Sequence, residues 1–272
     1  MKRFSFFLLF CAATTLVAQN YTTYNGLPIS RVSFLSSGYS GHNIFGDPSL
    51  LLYLPMTGQL GSGPFLDESG NGSVATLAGA YTGAFAGKIG AYGPYLNKSR
   101  SPNNVLNVSS PPTITGTFTV SAWVKPNAPA NNYVRIVESF YQTGFYLGTN
   151  STGTAFEWMV KDPSVVSSAT GGAVTIGTWP NTAWQMVTGT YDSSNNGRLY
   201  VNGTQVGTTQ AFTNPGATTL NIGIGWCSAS STVGCSPNSP LNAWDGQIQG
   251  VRIYGRALSQ AEIQAIYTAE NH

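Results

Sequence analysis

The chain has 272 residues, of which only 8% are charged, with 12 Lys and Arg against 10 Asp and Glu. That sparse, unclustered charge excludes nucleic acid and an anionic membrane surface as principal partners, since both need grouped Lys and Arg. An aromatic content of 12% and many β-branched residues exclude a disordered chain.

At the start, Lys2 and Arg3 precede an apolar run from Phe4 to Val17, closed by Ala18 and followed by polar sequence. A positive head, a short apolar stretch and a small terminal residue predict a secretory signal peptide over residues 1–18. The run falls short of the roughly 20 apolar residues that span a bilayer, and no later run reaches that length, so no transmembrane segment is expected. Without Lys2 and Arg3 the mature chain carries ten basic and ten acidic residues, a net charge of zero. The expected location is extracellular, and about 250 mature residues suit one large β-domain with a substantial core.

Residues 19–49 are polar and punctuated by Gly38, Gly41 and Gly46, and read as an N-terminal arm or edge strand. From there the sequence becomes a series of short alternating runs separated by turn residues, the rhythm of a sandwich or barrel. In Phe118–Lys125, the residues Phe118, Val120, Ala122 and Val124 share one face, and Pro126 ends the run because it cannot donate to a ladder. Further strands are predicted over 134–138, 144–148, 155–160 and 184–191. Residues 198–201 and Gln205–Val206 flank Asn202-Gly203, a hairpin signal because both turn residues accept positive φ. Strands over 220–224 and 248–254 complete the set. One helix is predicted: Ser259 and Glu262 make a capping box, and Ile263, Ile266 and Tyr267 form one apolar face behind it.

The mature chain keeps two cysteines, Cys227 and Cys235, close together in a Ser- and Gly-rich segment. Export permits oxidation, and a disulfide closing that loop is expected. The other readings are two free thiols or two ligands of a metal site, the latter disfavoured because the only histidines are His42 and His272.

The C-terminal segment Trp244-Asp245-Gly246-Gln247-Ile248-Gln249-Gly250-Val251-Arg252-Ile253-Tyr254-Gly255-Arg256-Ala257-Leu258-Ser259 resembles the end of laminin-G-like, concanavalin A-like lectin/glucanase domains. Three more blocks agree in order. Leu52-Tyr53-Leu54-Pro55 with Asp67-Glu68-Ser69-Gly70-Asn71-Gly72 is similar to that family's first strand and turn. Phe118 to Pro126 is similar to its "sisaWvkP" strand, and Trp184–Tyr191 followed by Leu199–Gly203 to its "W-x-x-v-x-x-t-y … lYvNG" pair. The resemblance covers residues 50–268. It implies an all-β, concanavalin A-like jelly-roll β-sandwich of two antiparallel sheets with one short C-terminal helix, forming a domain over 50–272.

The resemblance also implies a structural Ca²⁺, whose ligands fall on Asp67 and Asn71 of the turn and on Asp245. Gln249 and Gly250 stand where the family carries paired aspartates, and the loss of carboxylates weakens such a site. Glycanases of this fold carry Glu-x-Asp-x-x-Glu on one strand, and none of the ten acidic residues here has that spacing. Glu138 and Glu157 lie on separate predicted strands and read as surface or edge carboxylates. No Ser-His-Asp motif flanks His42 or His272. A non-enzyme is therefore expected. Jelly-roll lectins stack sugar rings on exposed aromatics, and Trp179 and Trp226 are the tryptophans least clearly placed in the core, hence the candidate ligand contacts. The reading is a secreted, non-catalytic recognition domain for a glycan or cell-surface glycoconjugate. Its alternatives are a structural or assembly subunit of an extracellular surface layer or filament, self-associating or contacting another extracellular protein, and a glycoside hydrolase with an unrecognised carboxylate pair.

Overall fold

The structure is a computed structural model that describes residues 23–24, 27–28, 46–57, 64–78, 84–97, 105–127, 133–139, 144–161, 171–175, 183–212, 222–226 and 242–272. The predicted signal peptide, most of the arm, Trp179, Cys227 and Cys235 lie outside the described residues.

The strands are β1 (Thr23–Tyr24), β2 (Leu27–Pro28), β3 (Leu50–Leu54), β4 (Phe65–Leu66), β5 (Val74–Ala78) and β6 (Ala84–Ala86). They continue with β7 (Tyr92–Leu96), β8 (Val105–Ser109), β9 (Phe118–Pro126), β10 (Arg135–Ser139), β11 (Gly144–Thr149) and β12 (Ala155–Lys161). The series closes with β13 (Gly171–Thr175), β14 (Gln185–Tyr191), β15 (Asn196–Val201), β16 (Thr204–Ala211), β17 (Ile222–Ile224) and β18 (Gly246–Tyr254), before the helix α1 (Gln260–Glu270). Sheet I runs β16-β15-β14-β9-β18-β7-β6, with β3 also paired to β18, and sheet II runs β13-β12-β11-β10-β17-β8-β5-β4. Every pairing is antiparallel. β13 of sheet II runs against β16 of sheet I, bringing the two sheets together along that side. This is the expected jelly-roll sandwich. Among the described residues no helix is long and apolar enough to cross a membrane.

Alternation decides which side chains enter the core. Phe118, Val120, Ala122 and Val124 of β9 face inward and meet Phe145, Leu147, Phe156, Trp158 and Val160 from sheet II. Phe118 is central, its ring 5.6 Å from Phe145 and 5.7 Å from both Trp158 and Tyr191. Each such ring removed from water contributes roughly 1.5–3 kcal/mol. Trp158 also needs a hydrogen-bond acceptor inside this core and finds it in the Thr190 carbonyl at 3.0 Å. The Asn202-Gly203 turn forms as expected, with φ of 51° and 80°, and joins β15 to β16.

The intervening residues of β9 point outward. Trp123 belongs to a second apolar layer with Tyr53, Met186, Tyr200 and Tyr254, covered by Ile263 and Ile266 of α1. The capping box is present in full: Ser259 accepts from the Glu262 amide, and Glu262 accepts from the Ser259 amide. At its other end the helix is held by Glu270, which receives Trp123 Nε1 at 2.7 Å and two nitrogens of the fully buried Arg252. The Arg252 guanidinium in turn lies 4.1 Å over the Tyr53 ring. The C-terminal helix therefore covers the middle of the outer face of sheet I.

Candidate functional site

The outer face of sheet II has a different character. Register places Thr76, Asn107, Gly223, Glu138, Tyr146 and Met159 in one row across β5, β8, β17, β10, β11 and β12. A neighbouring row holds Arg135, Gly148 and Glu157. The residues that alternate with these, Val137, Leu147, Phe156, Trp158, Ile224 and Leu106, fill the core, so the polar set faces away from it. Its floor is deeply buried: Glu138 is 0%, Tyr146 2% and Glu157 2% exposed. Asn107, Arg135 and Met159 are partly exposed and form its margin. The two carboxylates that the sequence suggests are surface or edge groups are instead among the most buried acids of the protein. They lie on β10 and β12, each paired with a strand on both sides.

Arg135 and Tyr146 organise the floor. Arg135 Nε donates to Glu138 Oε2 at 2.8 Å, and the guanidinium stands 5.2 Å from the Tyr146 ring centre. Tyr146 leans along its own strand into the space above Gly148, where a Cβ would lie 2.5 Å from the Tyr146 hydroxyl. Only glycine allows that approach. The hydroxyl reaches the carbonyls of Val134, at 3.2 Å, and of Thr149. Burial holds the phenol well above its usual pKa, so it remains a donor.

Among the described residues, two acceptors on this face have nothing donated to them. Glu157 Oε2 and Asn107 Oδ1 are both buried without a hydrogen-bond partner. A buried polar atom left unpaired costs about 1–3 kcal/mol, which a ligand's donor can recover. Burial also pushes the Glu157 carboxyl up to about 7, with Arg135 acting in the opposite direction. What this arrangement holds is two unpartnered acceptors and one guanidinium on a rigid sheet whose middle is closed to solvent.

The residues implicated in Ca²⁺ binding do not converge. Asp67 accepts from Tyr53 N and Ser69 N, each at 2.9 Å, from Ser69 Oγ at 2.8 Å and from Ser73 N at 3.4 Å. Asn71 turns its amide nitrogen toward the carbonyls of Leu50 and Leu51 at 3.2 and 3.0 Å. These bonds tie the turn to β3 through donors, and a cation needs oxygens aimed at one point. Asp245 accepts from the Tyr95 hydroxyl at 2.6 Å and lies at the far end of β18. The turn sits beside Tyr53, which pairs with Arg252, so about seven residues of strand, roughly 20 Å, separate the two carboxylates. Where the family carries its aspartates, the fully buried Gln249 spans the β6–β7 turn. Its oxygen accepts from Lys88 N at 2.6 Å and Ile89 N at 3.2 Å. Its nitrogen donates to the carbonyls of Met56, Ile89 and Tyr92 at 3.0, 3.3 and 3.3 Å. An amide N–H thus occupies the meeting point of three carbonyls, and the residues Asp67, Asn71 and Asp245 do not fit one metal ion. Among the described residues no three His, Cys, Asp or Glu side chains group together.

Trp226, a candidate ligand contact, is 5% exposed, and its ring is wall rather than open platform. The exposed aromatics among the described residues are Phe85, Tyr92 and Tyr133. The polar face of sheet II was missed because its members are scattered from Thr76 to Gly223 and meet only through register.

A laminin G type of the concanavalin A-like lectin/glucanases superfamily matches residues 100–264. The chain belongs to this family. No curated protein matches the sequence. Solved structures share the superfamily fold with it. The binding domain of botulinum neurotoxin DC in complex with SialylT aligns at 16% identity and a TM-score of 0.61, over 83% of this chain and 52% of that one. The same domain in complex with rat synaptotagmin II gives 17% and 0.62, over 82% and 52%. The binding domain of Paraclostridial Mosquitocidal Protein 1 gives 15% and 0.59, over 81% and 52%. The chain spans about half the length of these neighbours, and at such identity the likeness is one of fold.

Proposed function

We propose that the protein is an exported, non-catalytic glycan-recognition domain whose ligand seats on the outer face of sheet II. The observation that carries this reading is the Glu157 carboxylate oxygen, buried and unpartnered in a row of polar side chains on a sheet face that α1 does not cover. Sugar hydroxyls are the donors that such acceptors lack. Family membership agrees, since its description joins lectins with glucanases. Neighbours of the same fold include a botulinum binding domain in complex with SialylT and botulinum neurotoxin type C, whose cell entry depends on two ganglioside molecules. The match covers only about half of those chains, so the weight rests on the face itself.

The placing of the acids supports the non-catalytic part of this reading. Glu138 is ion-paired to Arg135, and β11 with its Tyr146 ring stands between Glu138 and Glu157. A glycosidase needs its two carboxyl groups on either side of one scissile bond. Export is supported by the signal-like residues 1–18.

The test is a glycan array followed by calorimetry on the mature protein, repeated with Asn107→Ala and Glu157→Ala. Binding that weakens at least about tenfold in each variant is expected, the size of one lost buried hydrogen bond to a charged or amide group. Absence of binding to any glycan, or binding indifferent to both variants, overturns the proposal.

A further inference from the structure

Beyond the part that α1 covers, the outer face of sheet I is open and carries an aromatic pair. We infer that this part is a second carbohydrate site, where a pyranose ring stacks on Phe85 and its hydroxyls reach Asp245 and Lys125. It lies on the opposite face of the sandwich from the site proposed above, and neither site needs the other.

Register assembles the row. Lys125 of β9, Gln247 of β18 and Tyr95 of β7 stand side by side. Their neighbours Val124, Ile248 and Leu96 fill the core, so these three point outward. Phe85 of β6 joins them, its ring centre 4.7 Å from that of Tyr95. Trp123, the previous outward position on β9, belongs to the layer under α1, whereas Lys125 is partly exposed and Phe85 is 40% exposed. Tyr92 is also exposed but stands three residues before Tyr95, so alternation turns it to the other side of β7.

The platform is braced before a ligand arrives. Tyr95, against which Phe85 leans, donates its hydroxyl to Asp245 Oδ1 at 2.6 Å, and the Asp245 carbonyl accepts from Asn127 N at 2.9 Å. Gln247, 5% exposed, forms the floor and donates to the Ala86 carbonyl at 3.1 Å, which ties down the strand carrying Phe85. A ring held in this way loses little conformational freedom on binding. Asp245 keeps a second carboxylate oxygen to which no described residue donates, and among the described residues Lys125 has no ion pair. An acceptor and a cationic donor thus flank an exposed ring. A pyranose offers the complement: an apolar C–H face for the negative face of the aromatic ring, and hydroxyls that both donate and accept. A stable protein interface instead buries about 800 Å² per partner around an apolar centre, and this row presents one strongly exposed ring rimmed by polar groups.

The experiment is an array of neutral gluco-, manno-, galacto- and N-acetylglucosamine-containing oligosaccharides, with calorimetry on those that bind the mature protein. Phe85→Ala and Asp245→Ala are each expected to weaken binding here by about tenfold or more, and Phe85→Tyr, which keeps the ring, to stay within about threefold. An unchanged circular-dichroism spectrum is the folding control. Binding that weakens in Phe85→Ala and Asp245→Ala but survives Glu157→Ala supports the inference and counts against the site on sheet II. Binding indifferent to Phe85→Ala and Asp245→Ala but weakened by Glu157→Ala overturns the inference and leaves the site on sheet II standing. Failure of every oligosaccharide to bind overturns both. A dimer in light scattering that Phe85→Ala converts to a monomer also overturns the inference, because the ring is then a contact between copies of the chain.

Discussion

A carboxyl held at about 7 changes its charge inside the pH range of ordinary biochemistry, and Glu157 is such a group. Its folded-state pKa lies above the unfolded value of 4.5 because burial disfavours the anion more than Arg135 favours it. The folded protein thus binds this proton more tightly than the unfolded chain. The associated stability is fully present below about pH 4.5 and is lost as pH rises through 7. Glutamine keeps the size of the side chain and never ionises. Glu157→Gln is expected to match the wild type in thermal melts at pH 4.5 and to exceed it by several degrees at pH 8.5. The underlying difference is on the order of 2 kcal/mol. Equal melting at both pH values would remove Glu157 as the titrating group. Gln249 makes a contrasting point at the same scale. It also lies fully buried, but all five of its hydrogen bonds are made, and it braces the β6–β7 turn rather than waiting for a ligand.

The helix α1 is attached to sheet I by one ion pair set among aromatic rings. Arg252 is 0% exposed and Glu270 4%, so neither charge has water in reserve. Removing one partner leaves the other charged and buried, which costs about 3–5 kcal/mol, whereas replacing both with apolar groups of similar volume is close to neutral. Glu270→Ala is accordingly expected to lower the melting temperature steeply, and Arg252→Met with Glu270→Leu to recover most of the loss. Failure of the double variant to recover would mean that Trp123 Nε1, which also donates to Glu270, carries more of the attachment than the charge pair. This element was legible from the sequence because its signals are local. The capping box, the Ile263–Ile266 face and the Asn202-Gly203 turn each lie within a few residues, and the structure has them all. β9, β11, β12, β14 and β18 were legible for the same reason, since alternation is a pattern of near neighbours. β4 to β8 were not. β4 has two residues and β6 three, too short for a period of two to show. β7 reads Tyr-Gly-Pro-Tyr-Leu, whose glycine and proline are turn residues by propensity, and only pairing with β18 and β6 makes it a strand.

At the scale of the whole molecule the sandwich treats its two outer faces unequally, and this is what local sequence cannot reveal. Glu138 and Glu157 are 19 positions apart with a strand between them, so whether they are edge groups or a buried floor depends on sheet order, which is a non-local property. The same limit applies to exposure: Trp226 precedes a Ser- and Gly-containing stretch of sequence, and yet it is 5% exposed. The faces are also energetically separable. Arg252, Trp123 and Glu270 lie outside sheet I, while Arg135, Tyr146 and Glu157 lie outside sheet II. The full thickness of the apolar core, about 10 Å between sheets, intervenes. Sites so far apart and sharing no partner behave additively. Glu270→Ala should therefore lower thermal stability while leaving glycan affinity at 20 °C within about twofold of wild type, provided the variant is still folded there. Glu157→Ala should do the reverse, weakening binding while leaving the helix attachment intact. The measurement is the double variant: its loss of stability and its loss of affinity should each equal the sum of the single effects. A coupling above about 1 kcal/mol in either quantity would show that the core transmits strain between the faces, and that covering sheet I with α1 sets the shape of the face on sheet II.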